Sequence, residues 1–259
     1  MKSRLNKLAL ALTLALPVPA MAITITNTSN GTDLANAIIG SGITVSNVVL
    51  STDTPTASAG IFTGAAADGL GFNSGIVLTT GTTGCVSGPN NLNGCSGSGT
   101  FTSLKFDFTT TTTDVYFNYV FASEEYNEWV GSTYNDLFEL RLDGTNIALL
   151  PGGAGVVSVN NVNNGSNATY FRDNTSNSLN LQYDGLTTML TASALGLALG
   201  THSFEFYISD RGDYSLDSGV FIQAGTFSGN PPATVPEPTT LALLGLGLAG
   251  LRAARRRKV

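Results

Sequence analysis

Two short stretches of the 259-residue chain concentrate its carboxylates. The first holds Glu124, Glu125 and Glu128, with Asn135 and Asp136 a few residues on; the second, Asp210-Arg211-Gly212-Asp213-Tyr214-Ser215-Leu216-Asp217, carries Asp210, Asp213 and Asp217. Carboxylate and amide oxygens on loops are what calcium takes, about six to eight of them in loose geometry. Glu124, Glu125, Asn135, Asp136, Asp210, Asp213 and Asp217 are therefore expected as its ligands, provided the two stretches meet in space. Glu124 and Glu125 are adjacent and in extended backbone point to opposite faces, so one should ligate while the other caps or pairs, with Arg211 as a candidate partner. The second stretch lacks the twelve-residue spacing and closing glutamate of an EF-hand. A hydrated acidic turn, with Arg211 paired to a neighbour, explains the second stretch as well.

The same residues bear on catalysis. A glycosidase needs two carboxyl groups at a fixed separation, so Glu124, Glu125 or Glu128 facing an Asp of residues 210–217 is the enzyme reading to test, with Trp129 and Tyr126 as sugar-stacking rings. Aromatic packing beside a turn accounts for those rings equally. Other hydrolytic chemistry finds little support. His202 is the sole histidine and shares the parity of a strand, and no Gly-x-Ser-x-Gly elbow lies at a strand-to-helix turn. Arg211-Gly212-Asp213 reads as a glycine-centred turn rather than an adhesion tripeptide.

The elements that must hold these stretches are strands. Val115, Phe117, Tyr119 and Phe121 share one parity, and so do Phe138, Leu140 and Leu142, giving half-buried strands into and out of the first acidic turn. Leu104, Phe106 and Phe108 form another, predicted to pair with residues 115–121 as an antiparallel hairpin across the threonine run Thr109 to Thr113. Asp143-Gly144 is a two-residue hairpin signal, with Ile147 and Leu149 beginning the returning strand. Val156 to Val162, His202 to Ile208 and Gly219 to Phe227 are further strand candidates, the last two flanking the second acidic stretch. Thr32-Asp33 offers a helix start with Leu34, Ala37 and Ile38 as its apolar face, ended by Gly40. Glycines between residues 58 and 81 punctuate turns and a strand, without nucleotide-loop spacing. Many short strands, hairpin turns and almost no helical periodicity predict an all-β fold: an antiparallel, jelly-roll-like β-sandwich with one or two short helices.

The segment Phe121-Ala122-Ser123-Glu124-Glu125-Tyr126, with Val130-Gly131-Ser132 and Asn135-Asp136, resembles the signature of the choice-of-anchor L domain of bacterial surface proteins. Later landmarks are Ala148-Leu149-Leu150-Pro151-Gly152, Val159-Asn160-Asn161-Val162-Asn163, Tyr183-Asp184-Gly185-Leu186-Thr187 and Asp217-Ser218-Gly219-Val220-Phe221. The resemblance runs from about Thr32 to Phe227. It implies an architecture but no defined activity.

The ends of the chain speak about location. Lys2, Arg4 and Lys7 precede the apolar run Leu8 to Leu16, and Ala20-Met21-Ala22 supplies small residues at signal-peptidase spacing, so residues 1–22 read as a signal peptide cut between Ala22 and Ile23. The domain is expected over 23–228, a linker over 229–238 and a membrane segment over 239–259. Pro236-Glu237-Pro238, an apolar run from Leu241 to Leu251 and a basic end resemble a PEP-CTERM sorting signal. That resemblance implies an exosortase-type peptidase as partner, transient inner-membrane anchoring, and release or attachment at the surface of a Gram-negative, exopolysaccharide-producing bacterium; a plain C-terminal anchor is the alternative. Between residues 23 and 238 stand four basic and eighteen acidic residues, a net charge of −14. That charge repels phosphate backbones, so nucleic acid is not an expected partner, and it attracts divalent cations. Cys85 and Cys95 bracket a Gly/Ser/Asn/Pro loop and are expected to form a disulfide after export; a zinc site lacks the further ligands it needs. The reading that follows is an exported, non-enzymatic surface or matrix protein with a structural or adhesive role, calcium as its one candidate cofactor. A carbohydrate-binding module or glycoside hydrolase, with extracellular polysaccharide as ligand, is the alternative.

Overall fold

The computed structural model describes residues 22–54, 57–91 and 99–232. Among these residues the strands and single α-helix run in order as β1 (Thr24–Asn27), α1 (Gly31–Ile38), β2 (Ile43–Thr52), β3 (Ala59–Thr63), β4 (Ser74–Thr79), β5 (Phe101–Thr110), β6 (Val115–Ser123), β7 (Leu137–Leu142), β8 (Thr145–Asn146), β9 (Val157–Ser158), β10 (Phe171–Asp173), β11 (Gly185–Thr187), β12 (Leu190–Ala194), β13 (Thr201–Ser209) and β14 (Ser218–Gln223). They build two antiparallel sheets. One has the order β1-β3-β4-β14-β6-β11-β10, with β12 also on β6; the other is β2-β5-β13-β7-β8, with β9 on β7. The predicted sandwich is the observed architecture.

Alternation in sequence becomes an inner face. Phe204, Phe206 and Ile208 of β13 and Leu104, Phe106 and Phe108 of β5 are all buried, and the two strands pair over nine residues from Thr201↔Thr109 to Ser209↔Phe101. Phe227 closes this layer, its ring centroid 4.8 Å from Phe204, 5.3 Å from Phe108 and 5.4 Å from Phe106. The chain continues bonded past it: Gly40 N–H donates to the Phe227 carbonyl, Tyr116 N–H to that of Ser228, and Gly229 N–H to that of Ser41. So Ser228 and Gly229 belong to the fold despite their linker-like composition.

Several local expectations are corrected. β5 and β6 do not form a hairpin. Thr111 to Thr113 carries the chain across the sandwich, because β5 is taken on both edges by β2 and β13, whereas β6 lies between β14 and the β11/β12 edge of the other sheet. Nor is β6 half-buried. Phe117, Tyr119 and Phe121 face the main core, while Val120 and Ala122 face a second cluster formed with Leu181, Tyr183, Leu186 and Phe221, since loops cover the outer face of this sheet. The helix is capped by Asn30, whose side chain accepts from the Thr32 N–H, two residues before the expected cap at Thr32. The Asp143-Gly144 turn is a hairpin, both residues at positive φ (47° and 84°) as a type I′ turn requires. Its returning strand is only β8, and the strand expected over 156–162 shrinks to β9.

What positions the acidic stretches is a pair of crossings. Residues 124–136 leave β6 and enter β7; residues 210–217 leave β13 and enter β14. β6 pairs with β14 through Ser123↔Ser218, and β7 with β13 through Leu137↔Ser209. Both connections therefore pass from one sheet to the other at the same end of the sandwich.

Candidate functional site

The convergence is direct: the Glu124 N–H donates to the Asp217 carbonyl at 3.1 Å, and the Arg211 N–H donates to Asp136 Oδ1 at 2.8 Å. At this end the carboxylates separate into two groups, and the adjacent glutamates, both in the turn that follows β6, go one to each.

Glu125 joins Asp136, Asp210 and Asp213. Glu125 is 1% exposed and Asp136 fully buried. Asp136 is served on both oxygens, by the Arg211 N–H and by the Ser218 hydroxyl at 2.7 Å, yet burial first, and then the charges of Glu125 and Asp210, hold it well above the usual carboxylate range. Neither oxygen of Glu125 has a hydrogen-bond partner, and Asp210 Oδ1 lacks one too. Burial pushes Glu125 up to about 7; the Asp136 N–H dipole opposes the rise, and Asp210 and Asp213 add to it. Asp210 is raised to about 6 by burial and then by Asp213. The Tyr126 hydroxyl is buried nearby without a partner, its ionisation suppressed by burial and by the charges of Asp136 and Glu125.

Glu124 joins Asp217, Tyr183 and Thr79. The Thr79 hydroxyl donates to Asp217 Oδ2 at 2.8 Å, and the Tyr183 hydroxyl reaches Thr79 Oγ1 at 3.5 Å. Burial, then the charge of Glu124, raises Asp217 well above its ordinary value. Two glycines allow the close approach: a Cβ on Gly81 would stand 2.7 Å from Asp217 Cβ, and one on Gly219 would stand 2.4 Å from the Tyr183 hydroxyl. Thr79, Tyr183 and Ser218 are site residues that sequence reasoning missed. Tyr183-Asp184-Gly185 was visible as a landmark, but Thr79 and Ser218 sit singly at strand ends and give no local signal.

Other expectations fare differently. Asn135 is turned away, its Oδ1 accepting from the Asn160 N–H at 2.9 Å. Asp213 is half-buried and accepts from the Ser215 N–H. Among the described residues no carboxylate lies within ion-pair distance of Arg211; its Nε donates to the Ser209 hydroxyl, so the proposed Arg211 pairing is absent. Glu128 is exposed and acts electrostatically on Asp184 rather than on the 210–217 loop. Tyr126 packs at 4.7 Å on Phe171 inside the protein, so it presents no ring to a sugar. Trp129 is 40% exposed and stands edge-on to Tyr134 at 5.2 Å; Gly212 lies against Tyr134, and Tyr214, 58% exposed, lies two residues further on. His202 bonds Asp143 at 2.7 Å and the Ala198 carbonyl at 2.9 Å, a structural clamp at the opposite end. Among the described residues no three His, Cys, Asp or Glu side chains are spaced to hold a metal ion together. Cys85 ends the turn Thr83–Cys85, and no described cysteine is free. Cys95, Pro236, Glu237 and Pro238 lie outside the described residues, as does most of the signal peptide.

A two-sheet antiparallel sandwich that buries a carboxylate cluster at one end defines an all-β module. The family model of the choice-of-anchor L domain matches residues 23–228, and the chain belongs to that family. A PEP-CTERM protein-sorting motif matches residues 234–258. The protein is thus exported, sorted to the bacterial cell surface by an exosortase, and associated with the membrane before that processing. No curated protein and no solved structure matches the chain. Among the described residues no helix is long and apolar enough to cross a membrane; the apolar run Leu241 to Leu251 lies outside them.

Proposed function

We propose that the mature protein is a non-catalytic structural or adhesive component of the surface or exopolysaccharide matrix of a Gram-negative bacterium, stabilised at its acidic end by calcium. One observation carries the calcium reading: Glu125 is sealed from water with both oxygens unpartnered, beside an Asp210 oxygen in the same condition. Buried carboxylates that raise one another's proton affinity, as Glu125, Asp136 and Asp210 do, are neutralised by protons or by a cation. Calcium accepts two or three carboxylates and completes its shell with backbone carbonyls and water, which suits a cluster that lacks three closely spaced acidic ligands. Extracellular sites of this kind bind at roughly 0.1 to 1 mM. At about 2 mM calcium and a Kd of about 0.5 mM, mass action contributes about 1 kcal/mol of stability. The test is thermal unfolding in calcium and in chelator for the natural chain and for Asp136→Asn and Asp217→Asn. Identical midpoints throughout would leave two hydrated acidic turns. Intact-mass measurement of protein from the cell surface tests the sorting: the expected product ends near Pro236-Glu237-Pro238, and a mass that retains Arg255 to Arg257 would mean a retained anchor.

The exposed Trp129 and Tyr214, with Tyr134 against both Trp129 and Gly212 of the acidic loop, favour a second reading as a carbohydrate-binding module. The charge of the mature chain favours a neutral glycan over an acidic one. Hydrolysis is disfavoured, because Glu124 and Glu125 are sealed from substrate. A glycan array compared with Trp129→Ala distinguishes the two roles: binding lost in the variant supports the module, and no binding by either supports the scaffold.

A further inference from the structure

The expected signal-peptide cut falls at a junction where the structure changes from exposed to sealed. Ala22 is exposed, whereas Ile23 is 5% exposed and packs with Phe62, Leu70 and Phe72 in the second core cluster. The next residue begins β1, the edge strand paired on β3. The Ile23 nitrogen donates to Asp68 Oδ2 at 2.6 Å. Asp68 is 3% exposed and closes the 3-10 turn Ala65–Asp68, which is bounded by Gly64 and Gly69 at φ 85° and 91°. Only glycine adopts that conformation freely, so the tight turn that delivers the carboxylate is built into the chain.

A neutral backbone N–H compensates a buried carboxylate poorly. We propose that cleavage between Ala22 and Ile23 supplies the matching charge: the new α-ammonium of Ile23 forms a buried ion pair with Asp68, so that removal of the signal peptide completes the N-terminal edge of the sandwich. In the cut, water adds across the Ala22–Ile23 amide. The Ala22 carbonyl carbon gains the hydroxyl and the Ile23 nitrogen the hydrogen; the acid then ionises, and its proton converts the amine to the ammonium. The nitrogen already stands at the distance of a charge-assisted bond, which is roughly twice as strong as a neutral one. A chain cut one residue earlier or later would carry its charge in solvent or lose the Ile23 side chain from the core. Asp68 thus makes the position of the cut matter to stability.

This inference rests on export, and the experiment separates the two. Processed protein recovered from the cell surface is labelled under native conditions near pH 7 with a limiting amine-reactive acylating reagent, and labelled sites are read by peptide mass spectrometry. An unpaired α-amine, with a pKa of about 7.7 to 8.0 against about 10.4 for lysine, reacts first. Here the order is expected to reverse: Lys105, which is exposed, labels roughly tenfold faster than the Ile23 amine. Asp68→Asn, or unfolding in denaturant, restores the ordinary order. An N-terminus other than Ile23 overturns the cut. An Ile23 amine that labels ahead of Lys105 in the folded natural chain overturns the ion pair while leaving the cut intact.

Discussion

Raising the pH of the calcium-free protein from 5 to 8 should destabilise it, and Glu125 is the group that should report it. Its folded pKa of about 7 stands above an unfolded value near 4.5, so the folded state holds the proton more tightly. The contribution is fully present below about pH 4.5 and is lost as pH rises through 7. At about 1.4 kcal/mol per pH unit the ceiling is ~3.4 kcal/mol. The cluster lies under loops at the end of the sandwich, where solvent screening reduces this to about 1 to 2 kcal/mol. For a domain of this size that is roughly 3 to 6 °C in midpoint. The assay is thermal unfolding followed by circular dichroism in chelator at half-unit pH steps. His202, raised by its bond to the Ala198 carbonyl and by Asp143, adds a loss of the same sign near neutrality, and so do the raised Asp136, Asp184, Asp210 and Asp217, so the decisive comparison is with Glu125→Gln, which cannot ionise and should lessen the slope without abolishing it. Burial pushes Asp53, Asp143 and Asp173 up, but hydrogen bonds hold all three below their ordinary range. Their effect runs the other way and falls at lower pH, which is why the scan starts at 5. A midpoint independent of pH between 5 and 8, or an equal slope in Glu125→Gln, would refute the reasoning. Calcium at pH 7.5 should restore part of the lost midpoint in the natural chain.

Three further outcomes follow from packing and covalent structure. Phe227→Ala should cost about 3 to 5 kcal/mol in denaturant unfolding, because its ring sits among Phe106, Phe108 and Phe204 at the centre of the core; a loss under about 1 kcal/mol would contradict that placement. Gly219→Ala should destabilise by about 1 to 3 kcal/mol by driving a methyl group into the Tyr183 hydroxyl, and Tyr183→Phe in the same chain should relieve part of the loss, whereas no relief would mean the strain lies in the backbone. Thiol titration of denatured, unreduced protein should find no free cysteine if Cys85 and Cys95 are bridged, and Cys85→Ser should lower stability by about 2 to 4 kcal/mol; two free thiols would refute the bridge.

Much of this protein is legible from local pattern. Alternation alone located β5, β6, β7 and β13, since a period of two is set by the pleat and needs no knowledge of the partner strand. Asp143-Gly144 announced its hairpin through backbone preference, and the sorting motif and the two acidic stretches are linear features. Pairing is another matter. That β5 and β6 part into opposite sheets was decided by partners far along the chain, β13 for one and β14 for the other, and strand sequences of similar hydrophobicity do not encode which of them will meet. The same holds at the acidic end. Composition told that carboxylates were plentiful, but the divergence of Glu124 and Glu125, expected for extended backbone, arises in the turn after β6. Only the two crossings, held side by side by Ser123↔Ser218 and Leu137↔Ser209, determined that Glu125 meets Asp210, that Asn135 and Glu128 turn away, that Tyr126 is sealed and that Arg211 gives Asp136 its backbone rather than its charge. Burial of a charged group is a property of everything packed around it, and that is assembled from residues tens of positions apart.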